Sequence, residues 1–274
     1  MNHFCSQLWI LTLDELGQLL RRKRALIAFL LYILVVGLVI YGFSSVDSSI
    51  TQFLEERSVH KPKGKDLLAH AGNFPGREVV AQLLDWPITF VLFQFFAALW
   101  MSELIAMVSC DVISRDRERG SLRFLFLRTT REAYFFSKFV AHFLLYAGIH
   151  CFSLGLLAIF SLLLSDELTF FGVLHPFLSY SWSLMPLLAL TLALTIFASS
   201  VSRSIVGTLM IIHLLWIPLL ILVTWEVIPL FSWKMIAGIV APFGNYALMN
   251  GLGNGLLALM FLSFGFYLFR RAEV

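Results

Sequence analysis

Few residues in this 274-residue chain could do chemistry, and the ones that stand out lie inside long apolar runs: Glu103, His142, His150 and His213. A carboxylate in such a run is costly to bury and is a functional candidate by default. Glu103 is therefore a candidate for lining a path, against the plainer reading of a carboxylate satisfied by a neighbouring arginine or by water. Paired with a histidine of the third run, it could instead serve an intramembrane enzyme. Histidines facing one another from two runs would hold a cofactor such as haem. His142 and His150 are eight residues apart, on roughly one helical face and two turns distant, too far to chelate one ion together. Their spacing favours histidines satisfied by helix packing.

Other reactive patterns are missing. A phosphate-binding loop needs G-x-x-x-x-G-K-[ST], and the Gly64-Lys65 pair is followed by Asp66. H-E-x-x-H and G-x-S-x-G are absent, so the chain lacks the ligand set of a metalloprotease and the nucleophile of a serine hydrolase. Cys5, Cys110 and Cys151 are odd in number and have no metal-type spacing, so no disulfide framework is expected.

The elements that must carry these residues follow from composition. Hydrophobic residues make up 59% of the chain and charged residues 14%, against roughly 25% charged in soluble domains. That leaves too little charge to cover a soluble surface and excludes an ordinary soluble enzyme. The net charge of +3 is too small to point to nucleic acid. Runs long enough to cross about 30 Å of hydrocarbon fall at Ala25 to Phe43, Pro87 to Cys110, Phe139 to Leu164, Phe177 to Val201, Ser204 to Trp225 and Met249 to Phe269. The first run continues through Tyr41 and Phe43 without a small-residue cleavage site, so it is expected to remain as an anchor.

Basic residues set the orientation, because short cytoplasmic loops retain Lys and Arg. Fourteen of the twenty lie on one face, namely those at 21–24, the seven from Arg115 to Lys138, Arg203, Arg270 and Arg271. Both termini are therefore expected in the cytoplasm. The fold class that results is an all-α membrane protein of six transmembrane helices in a single domain over residues 1–274.

Four segments lie outside those spans. In residues 1–24, Trp9, Leu13, Leu16 and Leu20 share a helical face opposite Gln7, Asp14 and Gln18, as in a helix lying in the interface with lipid. Residues 44–86 form a long external loop, with a capping box at Ser49 to Gln52, expected to act as a cap and to dock an external accessory protein. In residues 226–248, Ile228-Pro229 and Ala241-Pro242 interrupt an apolar stretch, which reads as a re-entrant or interfacial hairpin. In residues 111–138, Arg115, Arg119 and Arg123 recur every four residues and would line one side of a helix, with Leu122, Leu125 and Phe126 as an apolar ridge. Such a helix could dock a soluble partner, although a loop that only sets orientation would also be basic.

The run Ile113 to Leu122, continuing through Leu125 and Leu127 to Arg131 and Lys138, resembles the signature of ABC-2 type ABC-transporter permeases. In that family an E-[KR]-x-x-G-[TS]-L segment follows the second span, then a leucine pair, a P-x-[ST]-R turn and a Lys at the next span. Glu118, Gly120, Ser121, Leu122, Arg131 and Lys138 match; the turn proline is absent, and Glu118 to Gly120 is one residue shorter than usual. Leu13 through Arg24, including Glu15, is similar to the family's first helix, and Ser199 to Ser204 to its link between spans four and five.

The resemblance implies an exporter subunit that pairs with a second copy or paralogue and recruits a separate dimeric ABC ATPase. Arg115, Glu118, Arg119, Gly120, Ser121, Leu122 and Arg131 would then be the coupling residues. No cofactor is expected on this chain itself; ATP and Mg would belong to the partner. The partners expected are the ATPase, the second permease subunit, membrane lipids and the external protein, with localisation in a bacterial inner membrane.

Overall fold

The computed structural model describes residues 2–21, 23, 26–27, 29–38, 41–42, 88–164, 169–202, 204–224, 233–240, 242 and 244–271. Among them the regular structure is helical throughout: α1 (Asn2–Arg21), α2 (Phe29–Leu38), α3 (Ile88–Ser109), α4 (Ser114–Glu118), α5 (Ser121–Leu125), α6 (Arg131–Leu164), α7 (Phe170–Ser183), α8 (Met185–Val201), α9 (Ile205–Thr224), α10 (Trp233–Val240) and α11 (Gly244–Arg271). Helices are what an apolar solvent imposes, because every backbone N–H and C=O must find its partner within the segment.

Among the described residues four helical stretches are long and apolar enough to cross a membrane: Thr89–Glu118, Arg131–Leu163, Phe170–Val201 and Asn245–Arg271. Phe29–Leu38 and Ile205–Pro218 are shorter apolar helices, at the positions of the first and fifth expected spans. The 44–86 loop, with its capping box, lies outside the described residues, as does residue 203 of the short link.

Several helices outrun the apolar segments that announce them. α6 starts at Arg131 and not at Phe139, because Thr130 Oγ1 accepts from Ala133 N at 3.2 Å and caps the first turn, where Glu132 suits the positive end of the helix. The fourth apolar run is two helices. Thr169 caps α7 by accepting from Gly172 N at 3.2 Å, and α8 begins after Leu184 with Pro186 in its first turn, where a missing N–H breaks no helical bond.

α8 is the central helix, with nearly every side chain from Leu187 to Ser200 buried. It packs chiefly on α11, and also against α3, α6 and α9. At Gly265 of α11 an added Cβ would stand 3.2 Å from Phe197 Cα of α8, so this pairing uses the missing side chain for close approach. At the Arg-rich end Phe126, Tyr134 and Phe269 form a triangle of rings with centroids 5.7 to 5.9 Å apart.

α1 lies along α6 and buries Thr12, Glu15 and Leu19. Trp9, Leu13 and Leu20 stay exposed and Leu16 is half-buried, so most of the apolar face read from the sequence points away from the protein. That is the disposition an interfacial helix needs. α10 packs on α11, α3 and α7, a short helix where the interrupted hairpin was expected.

Candidate functional site

At the Arg-rich end, α4 begins without a cap from its own N-cap residue, Ile113. Ser199 Oγ, from α8, accepts instead from Ile113 N and Ser114 N, each at 3.0 Å. In return Arg117 Nη2 donates to Ser200 O at 2.7 Å, placing a cation at the negative end of α8. The two helix ends thereby satisfy each other's orphan groups.

α4 stops because Gly120 takes φ +66°, a left-handed conformation that suits glycine, and Ser121 Oγ closes the turn on Asp116 O at 3.0 Å. Residues 114–125 are therefore two short helices. Arg115, Arg119 and Arg123 do not line one side of a continuous helix, since the left-handed residue between them resets the phase. Arg115 pairs with Asp111, whereas Arg119 and Arg123 are exposed. The ridge does pack: Leu122 is fully buried, and Leu125 and Phe126 lie against the core.

Beneath this turn is a buried ionic network. Lys138 Nζ donates to Glu15 Oε2 at 2.5 Å and lies 3.3 Å from Asp116 Oδ2, which also accepts from Tyr134 OH at 2.6 Å. The ammonium sits 5.2 Å from the centre of the Tyr134 ring. Glu15 and Lys138 have side chains only 5% and 8% exposed, so neither can fall back on water. The network joins α1, α4 and α6 through residues far apart in sequence. Glu15 and Lys138 were singled out from sequence; Asp116 and Tyr134 were not. The signal available was an acid between Arg115 and Arg117, and a tyrosine one helical turn before Lys138.

The outward edge of the platform carries Glu118, Arg119 and Gly120, all exposed, and two large apolar side chains, Phe124 and Leu127, at 76% and 81% exposure. The Glu118 carboxylate makes no hydrogen bond or ion pair with the described residues, and the N-cap of α5 is Gly120, without a side-chain cap. Arg131 is occupied internally: Nη1 donates to Arg270 O at 2.8 Å, and the guanidinium stands 5.3 Å from the Phe126 ring centre. Of the residues picked out from sequence, Arg115, Ser121, Leu122 and Arg131 hold the platform together, while Glu118 and Arg119 are left facing outward.

Glu103 lies elsewhere, on α3. Its neighbour is His213 of α9, with Nε2 3.6 Å from Oε2, and not a histidine of the third span. His142 Nδ1 donates to Lys138 O at 2.8 Å within α6, and His150 Nε2 donates to Tyr180 O of α7 at 3.3 Å. Both are fully buried packing groups, so the acid–base pairing of Glu103 with α6 is not formed. Glu103 and His213 are more than half exposed; a charged side chain at bilayer depth costs about 2.5–3.5 kcal/mol by insertion scales, so lipid is a poor neighbour for them.

At the opposite end a third polar group was missed altogether. Gln94 Nε2 and Ser183 Oγ donate to Ile239 O of α10 at 3.2 and 3.0 Å, and Asn250 Nδ2 donates to Gly238 O at 3.3 Å and to Ser183 O at 2.7 Å. These amides satisfy the last carbonyls of α10 and the break between α7 and α8. The sequence signal was three amides, Gln94, Asn250 and Asn254, in otherwise apolar helices.

The sequence that builds these elements matches a known family. A family model described as ABC-2 family transporter protein matches residues 9–250, from α1 through α10 to the first turns of α11. The chain belongs to the ABC-2 transporter family. It is accordingly an integral, multi-pass membrane protein of a transport family, and the match takes in both the ionic network and the Glu103–His213 pair. No curated protein matches the chain.

Proposed function

We propose that this ABC-2 protein is the membrane subunit of an ATP-binding cassette exporter. Two copies, or one copy and a paralogue, enclose the translocation path, and a separate dimeric ATPase carrying ATP and Mg docks on the Arg-rich platform. Both termini and the platform face the cytoplasm of a bacterial cell, and the 44–86 loop caps the outer mouth, where an accessory protein docks. Glu103 lines the path.

The observation that carries this reading is the construction of the platform. α1, α4 and α6 are locked by a buried ionic network, α4 and α8 by reciprocal capping, and the edge bearing Glu118, Phe124 and Leu127 is left without a partner among the described residues. A rigid base with an outward charged and apolar edge can pass a push from a soluble subunit to α6 and α8 at once. Glu118 can accept a bidentate pair from a partner arginine. Gly120 sets the angle at which the edge is presented, and a β-branched residue cannot adopt its φ without strain.

Glu118→Ala and Gly120→Val should therefore insert normally yet lose transport, and at least one should lose co-purification with the ATPase. A loop that only sets orientation predicts no effect of Glu118→Ala, which leaves every Lys and Arg in place. Wild-type transport by both variants would overturn the coupling role.

A further inference from the structure

Glu103 is eight residues from Asp111 and His213 ten from Arg203. At 1.5 Å per residue both lie about 12–15 Å inside the basic ends of their helices. That is close to the middle of a hydrocarbon layer roughly 30 Å thick. Their side chains are 58% and 57% exposed, on a face the described residues leave uncovered.

The pair is short of donors. His213 Nδ1 stands 2.8 Å from Leu209 O, and since a carbonyl only accepts, Nδ1 holds the proton. Nε2 stands 3.6 Å from Glu103 Oε2, too far for a hydrogen bond, so neither atom satisfies the other. Among the described residues no donor reaches either atom. The surroundings are apolar and polarisable: Leu99, Trp100 and Met107 of α3, and Met210, Leu214 and Ile217 of α9, are all exposed within about a turn of the pair.

We infer that Glu103 and His213 bind the protonated amine head of an amphipathic organic cation, whose apolar body rests on these side chains. The inference rests on the exporter reading and names its substrate class. An ammonium supplies the missing donors to both atoms and a positive charge to the carboxylate. A divalent metal ion is a poor fit, since calcium takes six to eight oxygen ligands, and no cluster of three metal-ligating side chains occurs among the described residues. An anion would meet the carboxylate.

The test uses the permease–ATPase complex in phosphatidylcholine nanodiscs, with naphthylmethylamine, protonated at neutral pH, and naphthylmethanol, its uncharged isostere, as probes. The wild-type complex should bind the amine at least about tenfold more tightly than the alcohol. Glu103→Gln should abolish that preference and leave alcohol binding unchanged, while Glu103→Asp keeps it. Absence of preference in the wild type, or its persistence in Glu103→Gln, overturns the cation site. ATPase co-purification is scored separately: if it fails in the wild type the exporter reading falls, whereas co-purification without charge preference sinks the site alone.

Discussion

Lys138 faces two carboxylates, the buried Glu15 at 2.5 Å and the partly exposed Asp116 at 3.3 Å, so the members of the network are not equivalent. Removing the lysine breaks its pair with the buried Glu15 carboxylate, and breaking a buried pair typically costs about 3–5 kcal/mol. Removing Glu15 leaves Lys138 on Asp116. Lys138→Met should thus lower the thermal midpoint in detergent well below wild type, with Glu15→Gln intermediate; equal midpoints for the two variants would contradict this account. At this scale the sequence was legible where a residue belonged to a linear pattern, as for Glu15, Gly120 and Lys138. It was not legible where the partner came from another segment, as for Asp116, Tyr134 and Ser199, because spacing along one helix says nothing about what crosses from the next.

α10 shows how an element can be read for its limits and not for its attachments. The prolines at 229 and 242 marked a stretch too interrupted to span, and a helix of eight residues stands between them. What holds it could not be read, since Gln94, Ser183 and Asn250 lie on three other helices. Its approach to α11 is very close: a Cβ on Gly238 would fall 2.0 Å from Tyr246 O, which is backbone and cannot swing aside. Gly238→Ala should therefore cost about 1–3 kcal/mol through overpacking, seen as a lowered thermal midpoint. Gly251→Ala, with nothing within 4 Å of its Cβ, is the control and should melt as wild type. Helix starts were hidden for a related reason. Apolar runs mark where a helix meets lipid, while α6 begins two turns earlier in charged sequence, under the control of its Thr130 cap.

For the whole molecule, the basic residues predict one orientation, and single cysteines test it. In a cysteine-free background, Ser58→Cys and Arg128→Cys should label from opposite sides of the membrane; labelling of both from outside would reverse the topology. Replacing Thr51 to Val80 by a short Gly/Ser linker should spare insertion and ATPase binding and abolish transport, and undiminished transport would reduce the loop to a spacer. That the chain is a helical, multi-pass membrane protein was legible because lipid selects on composition alone, whereas the arrangement of helices around α8 was not, because every face of an apolar helix looks alike in sequence. The Glu15–Lys138 bridge joins residues 123 positions apart, and so it also orders events in time. At synthesis rates of about 5–20 residues per second, the carboxylate on α1 waits roughly 6–25 s for its lysine. During that interval α1 has only the membrane surface to hold it, and it closes on the bundle when the start of α6 clears the ribosome. A cysteine replacing the buried Thr12 should react with a thiol reagent in chains stalled before that point and become protected after it; protection from the outset would show that α1 docks without its partner.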